Sequence, residues 1–170
     1  NDARGPIEHG REQTPDALDI AALRIGSRHR RTSELRHATQ EDLGATGVLY
    51  ARIAAGTREL GLSQQRVAAI TETVNLGLKV SGATAQESAS AQLQLSQAFA
   101  SGTLRGEEFN AVNEAAPAIM EALAAGIGVA RGELKQMAED GKITSQVMAD
   151  ALPKSLAKLR DEAAQIQTIG

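Results

Sequence analysis

Cysteine is absent from the 170-residue chain, which removes disulfides, thiolate zinc sites and cysteine nucleophiles at once. Aromatics are reduced to Tyr50, Phe99 and Phe109. The stacking platforms of single-strand nucleic-acid sites, common at carbohydrate sites too, are therefore missing. No apolar run approaches the roughly 18 residues that a bilayer span requires. The longest uncharged stretch, Ser88 to Leu104, is broken by Gln92, Gln94, Ser96 and Gln97. No sign of charge dominates either: the formal net charge of −3 argues against a nucleic-acid binder as a whole. The N-terminus lacks the basic-then-apolar pattern of an export signal. It begins at Asn1 rather than Met, so a processed product or an excised piece of a longer protein is expected.

What remains is a helix former's inventory: many alanines, with Leu, Ile, Val and Met to build the core. Residues 1–14, "NDARGPIEHGREQT", read as a flexible lead. Residues 15–37 read as a short helix, with Leu18, Ala21, Ala22 and Ile25 on one side, and a basic connector, "RHRRTSELRH". Residues 38–168 read as one helical domain.

Within that domain, caps, stripes and stops agree. Thr39 caps a helix whose stripe is Leu49, Ile53, Gly56 and Leu60, and Gly61 stops it. Ser63 caps a second, with Val67, Ile70, Val74 and Leu78 inward and an end at Gly82. Thr84 and Glu87 form a capping box for a third, which buries Ala91, Leu95, Ala98 and Phe99 and ends at Gly102. In "SGTLRGEEFNAVNEAAP", Gly102 suits a left-handed stop and Thr103 to Gly106 turn the chain. Glu107 and Glu108 then favour the positive end of the next helix, and Phe109 and Val112 point inward. Pro117 opens another helix carrying Ile119, Met120, Leu123 and Ile127. "RGE" returns at Arg131, Gly132 and Glu133, 26 residues on, ahead of Leu134, Met137 and Ala138. Thr144 caps "SQVMADAL", and Pro153 opens a charged last helix to about Gln167. No window alternates with period two. The expected fold is all-α, a compact bundle of about six to eight short helices without sheet.

No catalytic constellation emerges. Glu107 or Glu108 with Glu133 would form a glycosidase pair only beside a sugar cleft, with one pKa raised. "SLAK", Ser155 to Lys158, matches S-x-x-K but lacks the companion motifs. His9, His29 and His37 are too dispersed for a helix-face metal pair, and the phosphate-binding glycine loops are absent. No catalytic residue, metal, cofactor or small-molecule substrate is expected. A DNA-binding, helix-turn-helix-like regulatory domain is the alternative, from "IGVARGELKQMAEDGKITSQVMADAL". Its second helix offers Ser145, Gln146 and Asp150 where a reading helix needs cations. The better nucleic-acid feature is the cluster Arg24, Arg28, Arg30, Arg31 and Arg36.

Three stretches, "LYARIAAGTRELGLSQ" (from Leu49), "LKVSGATAQESASAQLQLSQAFASGTLRGEEFNAVNEAAPAIMEALAAGIGV" (from Leu78) and "RGELKQMAEDGKITSQVMADAL" (from Arg131), carry a resemblance. They resemble the N-terminal-half domain of tail tape measure proteins from long-tailed bacteriophages and prophages. The resemblance covers residues 38–168 and leaves residues 1–37 outside. Its most specific part holds Gly102, Arg105, Gly106, Glu107, Glu108, Phe109, Asn110 and Pro117. It implies a non-enzymatic tail assembly protein that templates tube length and occupies the tube lumen. It further implies a place in the virion tail, and in the bacterial host cytoplasm before assembly. The implied contacts are tail tube protein, tail assembly chaperones or the chain itself, made through those motif residues or by none of them if the motif is purely architectural. No membrane segment is implied within this stretch.

Overall fold

The computed structural model describes residues 43–168. The flexible lead, the helix of residues 15–37 and the Thr39 cap lie outside the described residues. The elements are α1 (residues 43–56), α2 (Gln64–Val80), α3 (Ala85–Ser101), α4 (Gly106–Ala115), α5 (Pro117–Ile127), α6 (Glu133–Glu139), α7 (Ser145–Ala151) and α8 (Leu156–Thr168). Three-residue and four-residue 3-10 turns occupy Arg58–Leu60 and Leu152–Ser155. The protein is all-α, and no strand occurs among the described residues.

The caps form as their side chains dictate. Ser63 Oγ accepts the Arg66 N–H at 3.3 Å, and Thr144 Oγ1 accepts the Val147 N–H at 3.2 Å. At α3 the box closes both ways: Thr84 Oγ1 takes the Glu87 N–H, and Glu87 Oε2 takes the Thr84 N–H at 2.8 Å. Each bond satisfies a donor that a first helical turn would otherwise leave orphaned.

One core follows from the inward stripes. Alpha-5 is its axis, with Ala118, Ile119, Met120, Ala122, Leu123, Ala124 and Gly126 buried. Around it lie α2, α4, α7 and the Leu152–Ser155 turn, while α8 packs on α2 and α3 on α4. Val67, Ile70, Val74 and Leu78 of α2, and Ala91, Leu95, Ala98 and Phe99 of α3, are buried as their spacing requires. Each large aliphatic side chain removed from water contributes about 1.5–3 kcal/mol.

Two boundaries differ from the sequence reading. Alpha-1 does not run through Leu60 to stop at Gly61: it breaks after Gly56. Thr57 turns the chain, its hydroxyl donating to the Ile53 carbonyl at 2.7 Å, and Gly61 closes the short 3-10 turn instead. The cause is tertiary, since Gly56 sits so close to α3 that a Cβ would lie 3.0 Å from the Phe99 Cβ. At the other end, Pro153 does not itself open α8. It lies in the first turn of the 3-10 segment, where a missing N–H costs no bond within that segment, and α8 starts at Leu156.

Candidate functional site

The segment from Gly102 to Pro117 is the corner where α3 hands over to α4. Gly102 stops α3 at φ 94°, and Gly106 starts α4 at φ 59°, both in the left-handed region. Between them the loop is pinned from across the molecule. The Leu104 N–H donates to the Ile143 carbonyl at 2.8 Å, and the Ser145 N–H donates to the Gly102 carbonyl at 2.9 Å. Thr103 and Thr144 thereby form an isolated antiparallel bridge between two loops. Leu104 and Ile143 are fully buried, so these bonds satisfy backbone that water cannot reach. Ser145 adds a hydroxyl bond to the Phe99 carbonyl at 3.0 Å, satisfying the open end of α3.

This pinning sorts the motif residues. Phe109 enters the core at 5% exposure, beside the fully buried Val112. Pro117 occupies the first turn of α5 at the far end of α4, away from the loop. Asn110 is exposed. Arg105, Glu107 and Glu108 converge with Gln94 and Gln97 around a polar depression of about 410 Å³. Glu107 and Glu108 lie in the first turn of α4, and Arg105 stands at the cap position without a capping bond.

A larger open groove, about 790 Å³, adjoins that depression and shares Gln97 with it. It lies between the end of α1, the outer side of α3 and the start of α7, with Leu60, Leu93 and Phe99 in its lining and Arg52, Arg58 and Glu59 around it. Sequence reasoning missed it. Its signal in the sequence is the uncharged run from Ser88 to Leu104.

The chemistry within reach is that of contact. No buried side-chain nitrogen or oxygen among the described residues lacks a partner. No group of three or more His, Asp or Glu there has metal-holding geometry. Carboxyls with shifted pKa values belong to surface bonds. The Arg160 guanidinium holds Glu72 below its ordinary value through a hydrogen bond, with oxygens at 2.7 and 2.8 Å. The Thr84 backbone N–H lowers Glu87, Lys142 lowers Asp140, and a bond from Gln146, with Arg66 beyond it, lowers Asp150.

The suggested pairs dissolve on inspection. Glu133 turns back to accept the Ala130 N–H at 2.9 Å, and it does not join Glu107 and Glu108 in the depression. Lys158 of the "SLAK" stretch pairs with Glu162 at 3.5 Å. On α7, Gln146 donates to Asp150, and Asp150 also holds Arg66. The second helix of the helix-turn-helix alternative thus engages Gln146 and Asp150 in surface bonds within the domain.

A family model described as tape measure protein matches residues 22–170. The match starts upstream of residue 38, so it takes in Arg24, Arg28, Arg30, Arg31 and Arg36, which the resemblance had left outside. No curated protein matches the chain, and neither does any solved structure.

Proposed function

The chain belongs to the tape measure protein family, a structural role in phage tails, and from that premise we propose that this segment helps to template tail-tube length from within the tube lumen. Family membership over most of the chain is the observation that carries the reading. Its features fit a scaffold, which needs shallow surfaces for macromolecules rather than one enclosed ligand site. We propose further that residues 38–168 act as one assembly domain in this role. The corner residues Arg105, Glu107 and Glu108 are its contact points for tail tube subunits or assembly chaperones, while Gly102, Gly106, Phe109 and Pro117 hold the corner in shape. Before assembly the chain would reside in the host cytoplasm. It performs no catalysis in this reading and needs no cofactor.

The test is an in-frame deletion of residues 39–152 in the parent phage, with tails imaged by electron microscopy. Tails that are absent or irregular in length support an assembly function of the folded domain. Tails shortened only in proportion to the missing residues reduce the segment to spacer. Tails of normal length remove the tube-length reading.

A further inference from the structure

The inner side of α1 runs along Thr46, Leu49, Ile53 and Gly56, spaced i, i+3, i+7 and i+10. Leu49 and Ile53 are fully buried, and Tyr50 and Ala54 pack beside them at partial burial. Thr46 and Gly56 are half-buried, and every other described residue of the helix is exposed. Thr46 Oγ1 accepts from the Asn75 side-chain amide on α2 at 3.0 Å, and Asn75 Oδ1 accepts from Gln92 on α3 at 3.2 Å. At the other end of the helix, Gly56 lies against Phe99 and the α3 backbone. Among the described residues, Thr46–Asn75 is the single hydrogen bond from α1 to these helices, and its one charge, Arg52, joins no ion pair.

The joint that follows α1 is built to turn. Thr57 folds back on the helix, its N–H and its hydroxyl both donating to the Ile53 carbonyl, at 2.9 and 2.7 Å, so it belongs to the end of α1. Arg58–Leu60 buries no residue, and Gly61 stands at φ 62°, ahead of the Ser63 cap where α2 begins. The other peripheral helix is attached differently. Alpha-8 also buries just two residues, Leu159 and Ala163. It runs on, however, from a 3-10 turn that buries Leu152, with helical backbone at Ala151, Leu152 and Leu156. Arg160 then clasps Glu72 of α2 through two hydrogen bonds, and Lys154 donates to the Gly126 carbonyl of α5 at 2.9 Å. Alpha-8 has fasteners and no hinge; α1 has a hinge and one fastener.

We propose that α1 is a hinged strap, which lifts from α2 and α3 as a unit about the Arg58–Gly61 turn while α2 to α8 stay folded. The polar chain beneath it lowers the cost of lifting. Asn75 and Gln92 keep their bond to each other, and water takes the place of the Thr46 hydroxyl. Leu49 and Ile53 are the large aliphatic side chains of α1 that lifting exposes, whereas global unfolding also exposes the whole buried stripe of α5. The lifted state is therefore rarer than the closed one and far commoner than the unfolded chain. Lifting uncovers the adjoining faces of α2 and α3, with the Asn75–Gln92 pair set in them. A ligand that needs those faces draws on the lifted population, and a strap held shut denies it. The device is a property of the folded domain and does not depend on the tube-length reading.

Native-state hydrogen exchange of the full chain, under conditions where protection reports the opening equilibrium, separates strap from body. The amides from Leu49 to Thr57 should share one level of protection, about a hundredfold or more below that of the buried α5 amides. Ile119→Val, in α5, should lower α5 protection by about two- to tenfold and leave α1 unchanged, because Ile119 stays buried when α1 lifts. Val112→Ala repeats that test from α4. Thr46→Val should act on the closed state itself, lowering protection in α1 and α5 alike by about three- to tenfold. Three results would each overturn the proposal. One is α1 amides that follow Ile119→Val and Val112→Ala downward, since α1 would then open only with the whole domain. The second is protection that falls off residue by residue from Thr57 to Leu49, which is fraying. The third is a Thr46→Val variant that leaves α1 protection as it was.

Discussion

The tripeptide Arg-Gly-Glu begins a helix twice, and the two starts are built in opposite ways. At Arg131 the side chains close on the fold itself. Arg131 reaches Asn113 at 3.1 Å and Glu121 at 3.4 Å, while Glu133 caps the Ala130 N–H. Gly132 sits at φ −64°, a conformation open to any residue. At Arg105 the backbone does the holding, through the bridge from Thr103 to Thr144 and the left-handed Gly106. Arg105, Glu107 and Glu108 have no ion-pair partner among the described residues. One start uses its charges for architecture; the other has architecture without them, which leaves its charges available to something outside.

The sharpest way to break this contrast is in the core. Phe109→Ala should lower stability by about 3–5 kcal/mol in a denaturant titration, since the ring is nearly fully buried under the first start. A change within about 0.5 kcal/mol would show that the corner does not rest on it. The glycines come next. Gly106→Ala should cost about 1–2 kcal/mol, because its φ of 59° strains any Cβ. Gly132→Ala should be neutral or stabilise by up to about 1 kcal/mol, since the added methyl meets nothing within 4 Å beyond its own stretch of chain. Equal effects at both would erase the distinction between the starts. Smallest are the carboxylates. Glu133→Ala should cost about 0.5–1 kcal/mol through its lost hydrogen bond, whereas Glu107→Ala should stay within about 0.5 kcal/mol. A thermal melt showing the reverse order would place the architectural glutamate at the wrong start.

The second start could not be told from the first by reading residues, because the difference is set by what lies across the fold. Local chemistry was legible: Ser63, Thr84 and Thr144 cap where a short polar side chain precedes an apolar stripe, and the stripes of α2 and α3 are buried in register. The end of α1 was not, because Gly56 meets Phe99 only once α1 and α3 lie together. The same holds for the groove, whose walls are distant in sequence. Of the motif residues, Phe109 could be assigned to the core by its spacing from Val112. The convergence of Arg105, Glu107 and Glu108 with Gln94 and Gln97 required the turn at Gly106.

The bridge between Thr103 and Thr144 also bears on the order in which the molecule assembles and comes apart. It closes a loop that contains α4, α5 and α6, and loop closure costs entropy before any distant contact repays it. Helix pairs near in sequence should therefore form first, and the bridge should join late. Contacts absent from the folding transition state act mainly on the unfolding rate. Weakening the bridge should then hasten unfolding and leave refolding nearly untouched. The amides of Leu104 and Ser145, far apart along the chain, should exchange with deuterium together, as the two halves of a single latch.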